Sequence, residues 1–335
     1  MKPFNLHDLS RFRGELMGIA MLVVMMFHVG FSRHDTFWFC VNRCGNVGVD
    51  MFLFLSGIGL WYAYQKAPSS GWGWLSLFYR RRFQRIYPAW LLLSSLYYIP
   101  LYIQGKFTLW QTIGNVLIGW RLWSGFVDEF WFIPMILAFY LVAPFYMKLI
   151  QRSTVWRWLP AVAMVFCVLL QYWKPLNASL GHLEILFSRV PIFLLGMNAG
   201  LWVKEERQLS ADALWLLLLT FVLSLGVCVN FEDGLRGRFP LFLERMVYIP
   251  LSISALLLLC KAFCHAPQWV LKGLSFVGTV SLELYLVHVN FVLKYLRPYD
   301  FGYWLTLLLM TAIALVLAWL IHQLLSFIPW EKSRK

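Results

Sequence analysis

Ionisable residues interrupt long apolar runs, among them His28, Asp50, Arg189, Glu244, Arg245, Glu283 and His288. A charged side chain inside a membrane span costs at least a few kcal/mol, so such residues are functional candidates by default. His28 and Asp50 are the types that move protons or accept an acyl group, an imidazole as base or nucleophile and a carboxylate to orient it. The plainer reading makes the histidine an interhelical hydrogen-bonder and pairs Asp50 with Arg189 or Arg245 for structural reasons. His322 has no partner at its depth and reads as structural. A second set is Arg80, Arg81, Arg82 and Arg85, four guanidinium groups within Phe78–Arg85. They suit a polyphosphate, held by charge-assisted bonds, or act only as a topology signal. The six cysteines form no zinc or redox framework. Cys40 and Cys44 could pair in an oxidising compartment, and Cys260, Cys264 and His265 could touch a metal. All read more simply as structural thiols, and no metal is expected.

The elements that carry these residues are membrane spans. Of 335 residues, 60% are hydrophobic and 13% charged, and mean hydropathy is +0.66. Soluble domains carry about 25% charged residues. The fold class is therefore an all-α integral membrane protein, one membrane domain over 1–335 with no separate soluble part. Spans need about 20 apolar residues. They fall near 14–32, 44–64, 87–104, 127–147, 155–173, 183–203, 212–230, 241–262, 272–294 and 302–327, ten in all. The seventh is the clearest lipid-facing one.

With the N-terminus inside, eighteen Lys and Arg fall in inner segments and nine in outer ones. That bias puts both termini in the cytoplasm. A net charge of +13 is then topology and lipid contact rather than nucleic-acid binding. This orientation puts His28 about four residues, roughly 6 Å, below the outer end of its span, and Asp50 about as deep. Arg189, Glu244, Arg245 and His288 fall in the outer halves of their spans, with Glu283 a little deeper. Together they could line one outward-facing cavity. Segments 66–86 and 105–126, both rich in aromatic residues, read as helices lying in the interface. An acyl or glycosyl transferase and a small-solute transporter both fit these features.

Six motifs, in order along the chain, narrow the choice. They are Gly18–His28, Gly45–Gly57, Phe78–Pro88, the Trp131-Phe132 to Tyr140 and Pro144 span, Arg189–Gly196 and Ser281–His288. In these the sequence resembles the membrane-bound acyltransferase family 3, whose members move acyl groups from acyl-CoA to sugars, glycans, lipids or antibiotics. Two departures stand out. Met17 occupies a position where the family usually has Arg, with Arg13 one turn earlier on roughly the same face. Ile136 and Leu137 replace the paired Glu of many glycan-modifying members.

The resemblance implies that acyl-CoA, acetyl-CoA in the simplest case, docks from the cytoplasm. Its phosphates would lie on Arg80, Arg81, Arg82 and Arg85, with Arg13 assisting. His28 would act as general base on an acceptor hydroxyl or accept the acyl group itself, and Asp50 would orient the imidazole. Arg189, Tyr285 and His288 would shape a pocket for a carbohydrate, lipid or small-molecule acceptor. The expected setting is a bacterial cytoplasmic membrane. A transporter using the same cavity, a family member that has lost catalysis, and a transferase with a lipid-linked donor remain alternatives.

Overall fold

A computed structural model of the chain describes residues 4–65, 72–233 and 238–327. The protein is an all-α integral membrane protein, and the β pairing described is a two-residue antiparallel bridge between Phe4–Asn5 and Gln208–Leu209. Among the described residues seven helices are long and apolar enough to cross a membrane, or nine if two bent pairs each form one span. The expected tenth is helix α1, Arg13–Val29, whose 17 residues rise only about 25 Å. Each of the ten expected apolar segments thus has a helical counterpart.

The chain forms two compact units. The first takes Met1–Gln65 and Met147–Thr279, the second Lys66–Tyr146 and Val280–Lys335. In the first unit, α1 is followed by α2 (Thr36–Arg43) and α3 (Val47–Gln65). In the second, α4 is Trp72–Ile103 and α5 is Leu109–Ile118. Helix α6, Phe132–Arg152, carries the chain back to the first unit. There follow α7 (Leu159–Tyr172), α8 (Val190–Lys204), α9 (Ala211–Asp233), α10 (Leu241–Phe263) and α11 (Gln268–Thr279). The second unit then takes α12 (Ser281–Val287), a π-helical turn over His288–Leu293, and α13 (Gly302–Ser326).

Glycine lets the first unit pack backbone against backbone. A Cβ on Gly18 would stand 2.1 Å from the Leu274 carbonyl oxygen, and one on Gly278 2.0 Å from that of Gly14, so α1 and α11 touch directly. Helices α3 and α8 meet in the same way, with Gly57 against Phe193 and Gly196 against the Phe54 carbonyl. Lipid tails are as apolar as leucine, so helices gain little by hiding leucine, and close contact through small residues supplies the attraction instead. Helix α9 shows the converse. Trp215, Leu216, Leu219, Val222 and Leu223 are all exposed, as a lipid-facing span requires.

Two expectations need correction. Residues 72–86 do not form a separate interfacial helix, and 66–71 lie outside the described residues. The arginine stretch is the first half of α4, one helix of 32 residues running on through Pro88 and Pro100. Membrane helices tolerate such prolines because neighbours re-satisfy the freed carbonyls. The ninth span, expected at 272–294, breaks at Val280, where the chain leaves the first unit for the second.

The 105–126 segment is helical as expected. Helix α5 carries a Thr108–Gln111 capping box and ends on left-handed Gly119. Its polar Thr112 and Asn115 are buried while Leu109, Trp110, Leu117 and Ile118 are exposed, which inverts the pattern of a water-facing helix. Beyond it, Asp128 ties the connection to α4, accepting from the Tyr98 hydroxyl and from Phe130 N at 3.0 Å, with Arg121 at 3.2 Å. Burial pushes the Asp128 carboxyl up from its ordinary range despite these contacts.

The glycine contacts generate a direct test. Gly18→Ala should cost about 1–3 kcal/mol or more through overpacking, read as a lower unfolding temperature in detergent. Gly226→Ala on α9, where nothing stands within 4 Å, should leave stability unchanged or slightly raised. Equal effects at the two positions would contradict the backbone-contact account.

Candidate active site

His28 lies in the last turn of α1, half-buried, with its Nδ1 2.8 Å from the Val24 carbonyl oxygen. A carbonyl only accepts, so the neutral ring carries its proton on Nδ1 and its lone pair on Nε2. The Phe27 ring stands edge-on to the imidazole at 5.1 Å. This ring is therefore held in one tautomer, with the basic nitrogen defined.

Asp50 does not orient it. The Asp50 carboxylate accepts from Arg189 Nη1, and Arg189 Nη2 donates to Asn46 Oδ1 at 3.0 Å. Both members of the pair are fully buried. A guanidinium taken out of water demands a carboxylate far more strongly than a neutral imidazole does, and the glycine contact of α3 with α8 brings the two charges within reach. Arg189, expected in an acceptor pocket, is thus spent on a buried ion pair.

Other buried charged groups of the first unit also have partners. Arg245 Nη1 donates to Glu184 Oε2 at 2.5 Å and to Ser188 Oγ at 3.1 Å. Arg43 lies 3.6 Å from Glu232, and the Tyr248 hydroxyl donates to Glu244 at 2.7 Å. Sequence reading missed Asn46, Glu184, Ser188 and Glu232 as partners, since each bond joins helices far apart along the chain. The short helix carrying Glu184 precedes α8 at a bend of 43°, and no local pattern announced it.

Arg13 sits at the other end of α1 from His28, about 22 Å along the axis. Its Nε donates to the Leu55 carbonyl at 3.3 Å, and its guanidinium lies where a Cβ on Gly59 would stand, 2.6 Å from Cζ. Cys40, Cys44 and Cys260 are buried and Cys264 is exposed, and none of the four is in a disulfide. Among the described residues no group of three His, Cys, Asp or Glu side chains is arranged to hold a metal ion.

In the second unit the four arginines wind around α4. Arg81, Arg82 and Arg85 fall within about 100° of one another, whereas Arg80 lies about 160° from Arg82. Arg80 and Arg81 are exposed, Arg82 and Arg85 half-buried. Arg82 stacks over Phe78 at 5.5 Å and Tyr140 at 6.0 Å, and its Nε is buried without a hydrogen-bond partner.

Tyr285 is a strut. Its hydroxyl donates to the Glu129 carbonyl at 2.7 Å and accepts from Phe132 N at 3.3 Å. His288 is buried, with Nδ1 2.8 Å from the Tyr285 carbonyl and 3.1 Å from that of Leu284, at the start of the π-turn. Such turns frequently mark functional sites, and no residue pattern signalled this one. His322 does have a partner, contrary to expectation: its Nδ1 is 3.0 Å from Glu283 Oε1. The break at Val280 puts Glu283 in the first turn of α12, level with the last turns of α13.

Apolar helices bearing buried ion pairs and a tautomer-locked histidine define a multi-pass membrane protein with candidate acid–base chemistry. Residues 16–323 match the family described as an acyltransferase domain, and the chain belongs to that family, membrane acyltransferase family 3. No curated protein and no solved structure matches the chain.

The buried pair carries a quantitative expectation. Removing one partner of a buried pair strands a charge at a cost of about 3–5 kcal/mol, while replacing both by apolar groups is often near neutral. Arg189→Met alone should therefore destabilise the protein more than Asp50→Leu combined with Arg189→Met. Denaturation in detergent of these two variants and of Asp50→Leu alone checks this, and additive losses would mean the pair is not coupled.

Proposed function

We propose that the chain is an acyltransferase that moves an acyl group, acetyl in the simplest case, from acyl-CoA to a hydroxyl of an envelope carbohydrate, lipid or small molecule. The observation that carries this reading is His28, whose Nδ1 bond to Val24 leaves Nε2 as the base, in a chain that belongs to an acyltransferase family.

Nε2 removes the hydroxyl proton as the acceptor oxygen attacks the thioester carbonyl. The new C–O bond forms, the C–S bond breaks, and the thiolate leaves to take up a proton. General-base assistance of this kind contributes about 10²–10⁴-fold. Passage through an N-acyl imidazole would use the same nitrogen. The Asp50–Arg189 pair serves by locking α3 to α8.

In the second unit, Arg81, Arg82 and Arg85 take the phosphates of the donor. Arg82 supports this best, because its buried, unpartnered Nε suits an anion. Arg80, on another face, contributes charge alone, and Arg13, already bonded to Leu55, contributes less than the three. The Lys/Arg bias supports an arrangement in a bacterial cytoplasmic membrane with the arginine end of α4 facing acyl-CoA in the cytoplasm.

The test uses purified protein in liposomes, labelled acetyl-CoA and a cell-envelope extract. Base-labile label should appear in the extract. A charge-assisted bond contributes about 1.5–3 kcal/mol, so Arg82→Ala with Arg85→Ala should raise KM for acetyl-CoA by about tenfold or more. An unchanged KM would reduce the arginines to a topology signal. Label that crosses the membrane without joining an acceptor would favour a transporter.

A further inference from the structure

Helix α1 ends two residues after His28 at Gly30, whose φ of +74° turns the chain away. The Met26 carbonyl keeps only a long bond from Gly30 N, at 3.5 Å. A side chain from the next helix takes it over: Asn42 Nδ2, on the buried Asn42 of α2, donates to Met26 O at 2.7 Å. The neighbouring Arg43 holds the adjacent residue, with its guanidinium 4.8 Å over the Phe27 ring and 3.6 Å from Glu232. Below them Gly45 fits so closely that a Cβ there would stand 3.0 Å from the Val23 carbonyl oxygen and 3.1 Å from Phe27 Cβ. Residues 23, 26 and 27 are all gripped by the segment 42–45. Together they bracket Val24, whose carbonyl sets the His28 tautomer.

We propose that Asn42, assisted by Arg43, is a positioning residue for His28. Helix ends fray, and an imidazole in the last turn keeps its rotamer only while that turn keeps its shape. Asn42 supplies the bond that the helix end lacks and so preserves the Nδ1–H to Val24 contact. Its effect is on the rate of proton removal and not on the binding of either substrate, because its bond runs to the backbone of α1. Misplacement of a reacting group by about 1 Å can cost about 10²-fold in rate. The inference rests on the reading of His28 as the base.

The experiment measures kcat and both KM values for Asn42→Ala, Asn42→Asp and Asn42→Gln, in the native background and with His28→Ala, using acetyl-CoA and the acceptor that becomes labelled. Asn42→Asp keeps the shape and loses the donor, while Asn42→Gln keeps a donor. Asn42→Ala and Asn42→Asp should lower kcat by about 10–100-fold with both KM values within about twofold, and Asn42→Gln should recover part of the loss. In the His28→Ala background Asn42→Ala should cost nothing more, as expected for residues acting as a unit. If Asn42→Ala does not fold, Asn42→Asp, which keeps the shape without the donor, and Asn42→Gln, which keeps the donor on a longer side chain, still separate loss of the donor from loss of shape. Equal losses in both backgrounds, or a KM change with kcat intact, would overturn the positioning role. If His28→Ala turns over normally the catalytic reading itself fails, whereas an inactive His28→Ala beside a full-rate Asn42→Ala overturns only the inference.

Discussion

The first unit depends on helix backbones that touch. With Gly18 against the Leu274 carbonyl and Gly196 against that of Phe54, α1 fits to α11 and α3 to α8 at distances no side chain would permit. In lipid such contact supplies much of the attraction between helices. It also makes the buried chemistry possible. Asp50 reaches Arg189 because α3 and α8 lie so close, and Arg13 can lie flat across α3 because position 59 is glycine. A pair so buried would be costly to form from solvated charges, but once the helices are in place it becomes costly to break. Packing and electrostatics thus fix one arrangement between them.

Two histidines in different units solve one problem in one way. His28 sends Nδ1 to Val24 and His288 sends Nδ1 to Leu284 and Tyr285, each to a carbonyl of its own helix one turn back. No carboxylate is needed to choose the tautomer. The ring acquires a defined basic nitrogen at no cost in buried charge, which suits a span better than a triad with a free carboxylate would. The acids of the spans do other work. Asp50 joins Arg189, and Glu283 joins His322.

Much of the fold was legible in the sequence because membrane spans announce themselves by apolar length. The segment 212–230 corresponds to Ala211–Asp233, and 302–327 to Gly302–Ser326. The misses came where that signal is silent. The arginine stretch looked like an interfacial segment because aromatic residues and four arginines stand together, yet one long helix can carry both. The break at Val280 has no proline or charge to mark it. Candidate residues were legible as types in unusual places. Their pairing was legible only in part: Arg189 was one of the two partners open to Asp50, whereas Glu184 for Arg245 is set by helix contacts between distant parts of the chain. His28 stood out for its position, but the bond that orients its ring runs to its own backbone and has no residue signature.

The central claim is that His28 Nε2 takes the proton of the acceptor hydroxyl, and single-turnover kinetics with bound donor test it most directly. Protein saturated with labelled acetyl-CoA is mixed with acceptor, and the rate of label transfer is compared between the native chain and His28→Ala, with donor binding measured separately. The account predicts unchanged donor binding and a transfer rate lower by about 10²–10⁴-fold. Transfer near the native rate in folded, donor-bound His28→Ala protein would contradict it.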